Sequence, residues 1–587
     1  MMQEFAELKR SAAGWLRPQA GEGRADHVMR LTVGAVVLLF PAACLLVSRS
    51  DSFCLFLLLV IGLVAWARTG FQTGFTRRDW LYVSVFLMFL VAGLLAFELG
   101  QQTDYGFRLL GRYVRLLLVF PALIAFKRHR PPALLVWTGL GLGALVLGID
   151  AIWERIDIQG FLQPDGDTNV AILFGDLATL TTFAFAAGYI HIDQRLPRLG
   201  PRLVLLCVFA GLLACALSGA RGAWLALPVL LLLFLSCRHL LHPRTVLVGA
   251  VAVLALFTVL YFLPGARVQQ RVRSVLQQLH SYAYVEDSLQ EQPAPVCLDD
   301  PRLLNAYAAV VTRDSPGVSV KVVPARRRWS AYLKAHGCRH AVVLRAFNSN
   351  HNRSWLDLPR SPWDGQSPAH ARFIVSGEAM LNFGRGPRSY AKIRSQNMAE
   401  TDMRTVPSLA DHIRVTVPAR SVINLLPVEQ YTGEYRYAML QSSAAQRLQM
   451  WAVAWRLFKA APLTGVGTAA YMERAQKLVD QGQAPPITAS YDHPHNEVLD
   501  ALATRGLVGL AALLLLFGVP GWQFARGLGS QDPARAGASL AGLMVVVGMA
   551  MCGVSETMFV HSITLGWYVI MTTMFMVTAD RTEEAEA

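Results

Sequence analysis

Apolar side chains in this sequence come in blocks. Residues 28–263 and 506–579 are runs of Leu, Val, Ala and Phe cut by short basic tethers. Residues 265–505 hold no apolar run near the ~18 residues that cross a bilayer. Candidate spans are 28–48, 53–67, 80–100, 109–126, 133–152, 169–191, 203–217, 223–237, 245–263, 506–524, 537–553 and 560–579. A bilayer core offers no water to backbone N–H and C=O groups, so each run must be helical. Only 16% of the chain is charged, against ~25% in soluble domains. A single soluble domain is excluded. The predicted fold is an all-α polytopic membrane protein of about 12 transmembrane helices with one large polar excursion.

Alternate tethers are basic: Arg68/Arg77/Arg78, Lys127/Arg128/Arg130, Arg195/Arg198/Arg202, Arg238/Arg244 and Arg526/Arg535. By the positive-inside rule these face the cytoplasm, as do the basic tail 1–27 and the tail 580–587. Spans 1–9 then occupy 28–263, spans 10–12 occupy 506–579, and 264–505 lies outside. Within it, 265–284 (Arg267, Val268, Arg271, Val272, Val275, Leu276, Leu279) repeats at helical spacing and reads as an amphipathic surface helix. Residues 285–440 carry β-like runs (Val318–Val323, Ala341–Phe347, Arg372–Ser376, Ile413–Val417) and read as an α/β insert. Periodicity returns over 444–460, followed by a turn at Pro462–Gly467. Cys44, Cys54, Cys207, Cys215, Cys237 and Cys552 lie in or beside apolar runs as small hydrophobes. Cys297 and Cys338 fall in the excursion, where an oxidising compartment would allow pairing; paired and free states both stay open.

Chemistry-bearing residues gather near span ends. Asp492-His493-Pro494-His495-Asn496-Glu497 precedes the tenth span. Histidine titrates near neutrality and suits general-base work, with Glu497 nearby; the same residues also fit a solvated, capped helix start. Pro494 and the i, i+2 spacing keep His493 and His495 off one helix face, which disfavours a metal pair. Arg221, in a tight turn of small residues (Ser218–Trp224), suits bidentate phosphate binding or lipid anchoring. Arg108, Arg112 and Arg115 form one stripe on the fourth span, with Asp176 as a partner for Arg115 or a basic cavity as the alternative. Arg447 begins the helix after the insert. No phosphate-binding Gly-rich loop, zinc-ligand spacing or nucleophile elbow is present. No metal, cofactor or nucleic acid is therefore expected.

Four motifs, SGARGAW (218–224), QRLQMW with PLTGVG (446–451, 462–467), HNEVL (495–499) and RGLVGL (505–510), resemble the O-antigen ligase family, within the superfamily of O-antigen ligases, polymerases and protein O-oligosaccharyltransferases. The family often has a second Ser where Ala220 stands and an acid where Arg505 stands. The resemblance implies transfer of polysaccharide from undecaprenyl pyrophosphate to a lipid A–core hydroxyl at the periplasmic face of the bacterial inner membrane. It further implies catalytic roles for His495, Arg221 and Arg447. Together with the residue-level reading, it makes His493, Asn496, Glu497, Arg112 and Arg115 the expected substrate contacts. A polymerase or protein oligosaccharyltransferase shares this donor, and an anion or lipid transporter is the alternative from another class.

Overall fold

The computed structural model describes residues 15–19, 21–157, 171–237, 443–481, 483–484 and 486–580, with seven strands between 318 and 428. They fall into two compact units, one comprising 1–269, 454–471 and 493–587 and the other 270–453 and 472–492.

The first unit is a helix bundle. Among the described residues, nine helices are long and apolar enough to cross a membrane. Six precede the polar excursion, and the first five are α1 (Arg24–Leu46), α2 (Ser50–Arg68), α3 (Arg77–Leu99), α4 (Asp104–His129) and α5 (Ala133–Asp157). After a shorter apolar helix, α6 (Ala171–Ala187), and the brief α7 (Tyr189–Arg195), the next long one is α8 (Gly200–Ser218). The shorter α9 (Arg221–Ser236) follows. The expected ninth span, 245–263, and the amphipathic stretch near 267–279 lie outside the described residues, as do Cys297 and Cys338. The chain is thus a helical, multi-pass membrane protein. The six other cysteines are buried and free.

Local chemistry sets several helix ends. Thr76 and Asp79 form a reciprocal capping box at the start of α3. Gly219, at φ +66°, ends α8 in the left-handed conformation that favours glycine. The fourth span tightens to a 3-10 helix over Val114–Leu118. Three residues per turn replace 3.6 there, which rotates Arg115 relative to Arg112.

In the second unit all seven strands pair antiparallel. They are β1 (Val318–Pro324), β2 (His340–Phe347), β3 (Ser354–Pro359), β4 (Arg372–Asn382), β5 (Tyr390–Asp402), β6 (His412–Val417) and β7 (Val422–Val428). The order is β1-β2-β7-β4-β6-β3, with β5 along β4. The register puts Val320, Leu344 and Leu425 on one face and Ser319, Arg345 and Asn424 on the other, a period-two alternation of apolar and polar residues. The four expected β-like runs fall within β1, β2, β4 and β6. The helical half of an α/β insert has no counterpart among the described residues of 285–440.

Two further helices follow the sheet in sequence, α10 (Ser443–Ala460) and α11 (Tyr471–Asp480). The last three complete the bundle: α12 (Glu497–Gly527), α13 (Pro533–Cys552) and α14 (Ser562–Ala579). Helix α12 is broken at Gly506, whose φ of +65° and ψ of −157° are not helical. Unbroken, Leu507 and Val508 would donate to the carbonyls of Ala503 and Thr504. The Pro462–Gly467 loop takes both sides of the break instead. Val466 N–H donates to Ala503 O (2.9 Å) and Gly467 N–H to Thr504 O (3.2 Å), while Leu507 N–H donates to Pro462 O (2.8 Å) and Val508 N–H to Leu463 O (3.2 Å). Backbone this close leaves no room for side chains. A Cβ on Gly506 would stand 2.4 Å from the Leu463 backbone, and one on Gly465 2.2 Å from the Arg505 nitrogen. Thr468 Oγ1 donates to Gly93 O (2.6 Å) and Gln101 N–H to Val466 O (3.0 Å), tying the loop to α3 and the residues after it.

Gly506→Ala should cost at least about 1–2 kcal/mol from the left-handed backbone alone, with the Leu463 clash added. A drop in the melting temperature of detergent-solubilised protein checks it; an unchanged value would remove the loop's claim to hold the break.

Candidate functional site

The nine-residue link from Gly553 to His561, between α13 and α14, is the hub of one bundle end. Glu497 N–H donates to Gly553 O (2.7 Å) and Asn496 N–H to Thr557 Oγ1 (3.2 Å). Asn496 caps α12, its Oδ1 accepting from Leu499 N–H (2.9 Å), and its amide donates to Val554 O (2.8 Å). The guanidinium of Arg112 donates to Val560 O. Gly222, in the first turn of α9, has Ser555 Oγ and the Asp176 carboxylate within 3 Å of where its Cβ would be. At the opposite end, Arg68 pairs with Asp26 (2.7 Å), Arg78 with Asp580 (3.6 Å) and Lys127 with Asp79. One basic residue of each of three tether ends is thus paired within the bundle.

Backbone geometry brings the histidines together. Both precede α12, and His495 adopts φ +50°, in the left-handed region that side chains seldom occupy. Its N–H donates to His493 Nδ1 (3.3 Å), and the two rings meet edge to face with centroids 4.4 Å apart. The i, i+2 spacing that separates them on a helix therefore does not apply. His495 Nδ1 lies 2.7 Å from Glu556 Oε1, and His493 Nδ1 lies 3.9 Å from the same oxygen. Glu556 is only 2% exposed. Burial pushes its carboxyl up, but the charge and hydrogen bond of His495, with the charges of His493 and His561 beyond, hold it well below the usual carboxylate range. It is an anion at neutral pH. Accepting a hydrogen bond from Nδ1–H, it leaves Nε2 of His495 to act as a base.

His493, His495 and Glu556 offer three ligand atoms within 4.8 Å of one another, the one such group among the described residues. Two ligands at ~2.0–2.1 Å from one tetrahedral ion stand roughly 3.4 Å apart. The 2.7 Å pair is shorter and fits a shared proton.

The other expected residues separate. Arg115 pairs with Asp51 of α2 at 2.7 Å, not with Asp176, because the 3-10 stretch turns it toward α2. Asp176 sits instead at the N-terminus of α9. Arg115 thereby leaves the Arg108–Arg112–Arg115 stripe, while Arg108 and Arg112 both lie over the Tyr105 ring and Arg112 also reaches the Gly553–His561 link. Arg221 is the first residue of α9, next to Gly222 and its neighbour Ser555. Asn496 and Glu497 are buried and engaged internally; Glu497 Oε2 accepts from Phe559 N–H (2.9 Å). Arg447 is half-buried on α10 in the second unit, beside Gln446, whose Oε1 accepts from the Tyr491 hydroxyl (3.2 Å). Glu556 and Asp51 escape a reading by sequence. The signal for Glu556 was a lone carboxylate in a short outer link, Ser555-Glu556-Thr557.

A family model described as O-antigen ligase matches residues 386–514. Over that stretch, less than a quarter of the chain, the sequence is similar to the O-antigen ligase family. It spans Arg447, the Pro462–Gly467 loop, His495 and the break at Gly506, and stops short of Arg221 and Glu556. An uncharacterized protein of Haemophilus influenzae (strain ATCC 51907 / DSM 11121 / KW20 / Rd) is 23% identical over 256 residues, which is 43% of this chain. The chain spans 63% of that relative's length.

Asp51→Asn should destabilise the bundle by on the order of 2 kcal/mol, since it leaves a partly buried Arg115 without its counter-charge. Asp51→Asn with Arg115→Gln should recover part of that loss. Denaturant melts of the two variants check it.

Proposed function

We propose that the chain transfers a glycan from undecaprenyl pyrophosphate to a sugar hydroxyl of lipid A–core, with its site on the periplasmic side of the bacterial inner membrane and both termini cytoplasmic. The observation that carries this reading is the 2.7 Å pair of His495 and Glu556, at the bundle end where Arg112 and the Arg221 turn also meet the Gly553–His561 link.

In this mechanism the Glu556 carboxylate accepts a hydrogen bond from Nδ1–H of His495 and, staying ionised, stabilises the imidazolium as it forms. Nε2 removes the proton of the acceptor hydroxyl. The oxygen then bonds to the anomeric carbon as the bond from that carbon to the pyrophosphate oxygen breaks. Undecaprenyl pyrophosphate departs with the electron pair, and in-line displacement inverts the anomeric centre. Arg221 and Arg447 neutralise the diphosphate, in the roles implied by the resemblance, and Arg112 adds a third guanidinium. Guanidinium forks suit phosphate oxygens, so hydrogen bonding supplies the charge stabilisation that a metal gives elsewhere. His493 supports the His495 turn. Asn496 and Glu497 hold the helix start, and Arg115, bound to Asp51, belongs to the wall.

His495→Ala should abolish ligation while the protein still inserts. Glu556→Gln should lower turnover by on the order of 10²-fold; undiminished long-chain lipopolysaccharide from His495→Ala would refute the base assignment, and an undiminished rate in Glu556→Gln would refute the role of the carboxylate. Arg221→Lys keeps the charge but loses the fork, so a large defect is expected. Near-normal activity would leave Arg221 an anchor. Chelators should not change the rate of purified enzyme. A deletion strain discriminates acceptors. Uncapped core with polymer left on the carrier marks a ligase, and single repeat units on core mark a polymerase.

A further inference from the structure

Arg505 is 1% exposed, among the largest fully enclosed side chains of the bundle, and takes no part in the mechanism above. Its Nη2 lies 3.2 Å from Asp500 Oδ2 and 3.6 Å from Glu497 Oε1. Nη1 donates to the Tyr113 hydroxyl (3.2 Å), and the guanidinium lies over the Phe89 ring, 4.7 Å from its centroid. One cation thus joins α3, α4 and both carboxylates of the first turns of α12. Glu497 faces two ways, its other oxygen accepting from Phe559 N–H. Phe559 packs against Phe89, Phe517 and Tyr568, three residues along the chain from Glu556.

We propose that Arg505 is a positioning residue: by holding Glu497 in place it fixes the Gly553–His561 link, and with it the Glu556 carboxylate against His495. Enclosure keeps it from substrate. Its charge balances two buried carboxylates: the guanidinium hydrogen-bonds Asp500 and forms a 3.6 Å ion pair with Glu497, the one that accepts from Phe559. Loss of the cation leaves Glu497 and Asp500 buried side by side without a partner charge, an arrangement relieved by movement or proton uptake. Either weakens the acceptor on which Phe559 N–H depends. The consequence for turnover rests on the transferase reading; the consequence for the link does not.

The test compares full-length wild type, Arg505→Met, and Arg505→Met with Glu497→Gln and Asp500→Asn, all in detergent. Amide hydrogen exchange is read over 497–504 and 553–561, and ligation kinetics beside it. In Arg505→Met, exchange over both segments should rise about tenfold or more while 562–579 is unchanged, since local opening is confined to the unit that lost its tie. Turnover should fall on the order of 10²-fold, with KM shifting far less, as expected for misplacement of a catalytic pair by about 1 Å. The neutral triple variant still offers an amide oxygen to Phe559 and needs no cation, so both readouts should recover most of the way. Unchanged exchange over 553–561 in Arg505→Met, or a triple variant as impaired as the single one, overturns the proposal. Should Arg505→Met fail to fold, Arg505→Gln, which also removes the charge, replaces it; exchange equal to wild type over 553–561 there overturns the proposal equally. Absence of ligation by wild type would sink the transferase reading while leaving the exchange comparison to decide the role of Arg505.

Discussion

Two missing helical hydrogen bonds organise one end of this bundle. Gly506 breaks α12, which frees the carbonyls of Ala503 and Thr504 and the N–H groups of Leu507 and Val508. A stretch of Pro462–Gly467 backbone satisfies all four. Free backbone groups are costly beside lipid, so the break persists only while that loop is seated, and the loop is itself tied to Gly93 and Gln101. The short helical piece before Gly506 is thereby set off from the membrane-length piece after it. Its start, Asn496 and Glu497, is left to dock on the link between α13 and α14.

From that docking the chemistry follows. The left-handed turn at His495 aims its ring at Glu556, and the buried carboxylate stays ionised because imidazoles surround it. An anion enclosed to this degree is tolerated only with hydrogen-bonded partners. The same site satisfies Glu556 and orients the base. The cation of Arg505 performs the corresponding task one layer deeper, where two carboxylates would otherwise repel.

Much of this was legible in the residues. Block-wise hydropathy marks the spans, and the tenth was expected to begin at Gly506, where the break stands. The alternating basic tethers anticipate one charged end, at which Arg68, Arg78 and Lys127 do gather. His495 and Arg221 were visible as unusual polar residues at span ends. Harder to read was which charge answers which. Arg115 was matched with Asp176 by depth alone. A five-residue 3-10 segment, which leaves no mark in an apolar run, turns it to Asp51. Strand-like runs mark β1, β2, β4 and β6 in the sequence, but not β3, β5 and β7.

The sequence by itself determined what the solvent imposes: apolar length makes helices, charge between them sets the two ends, and glycine marks where backbone must approach backbone. These are one-dimensional properties, fixed by composition and spacing. Only the tertiary structure decided that Glu556, 61 residues after His495, would be its partner. Such a contact depends on helix rotation and loop docking, which no local pattern records.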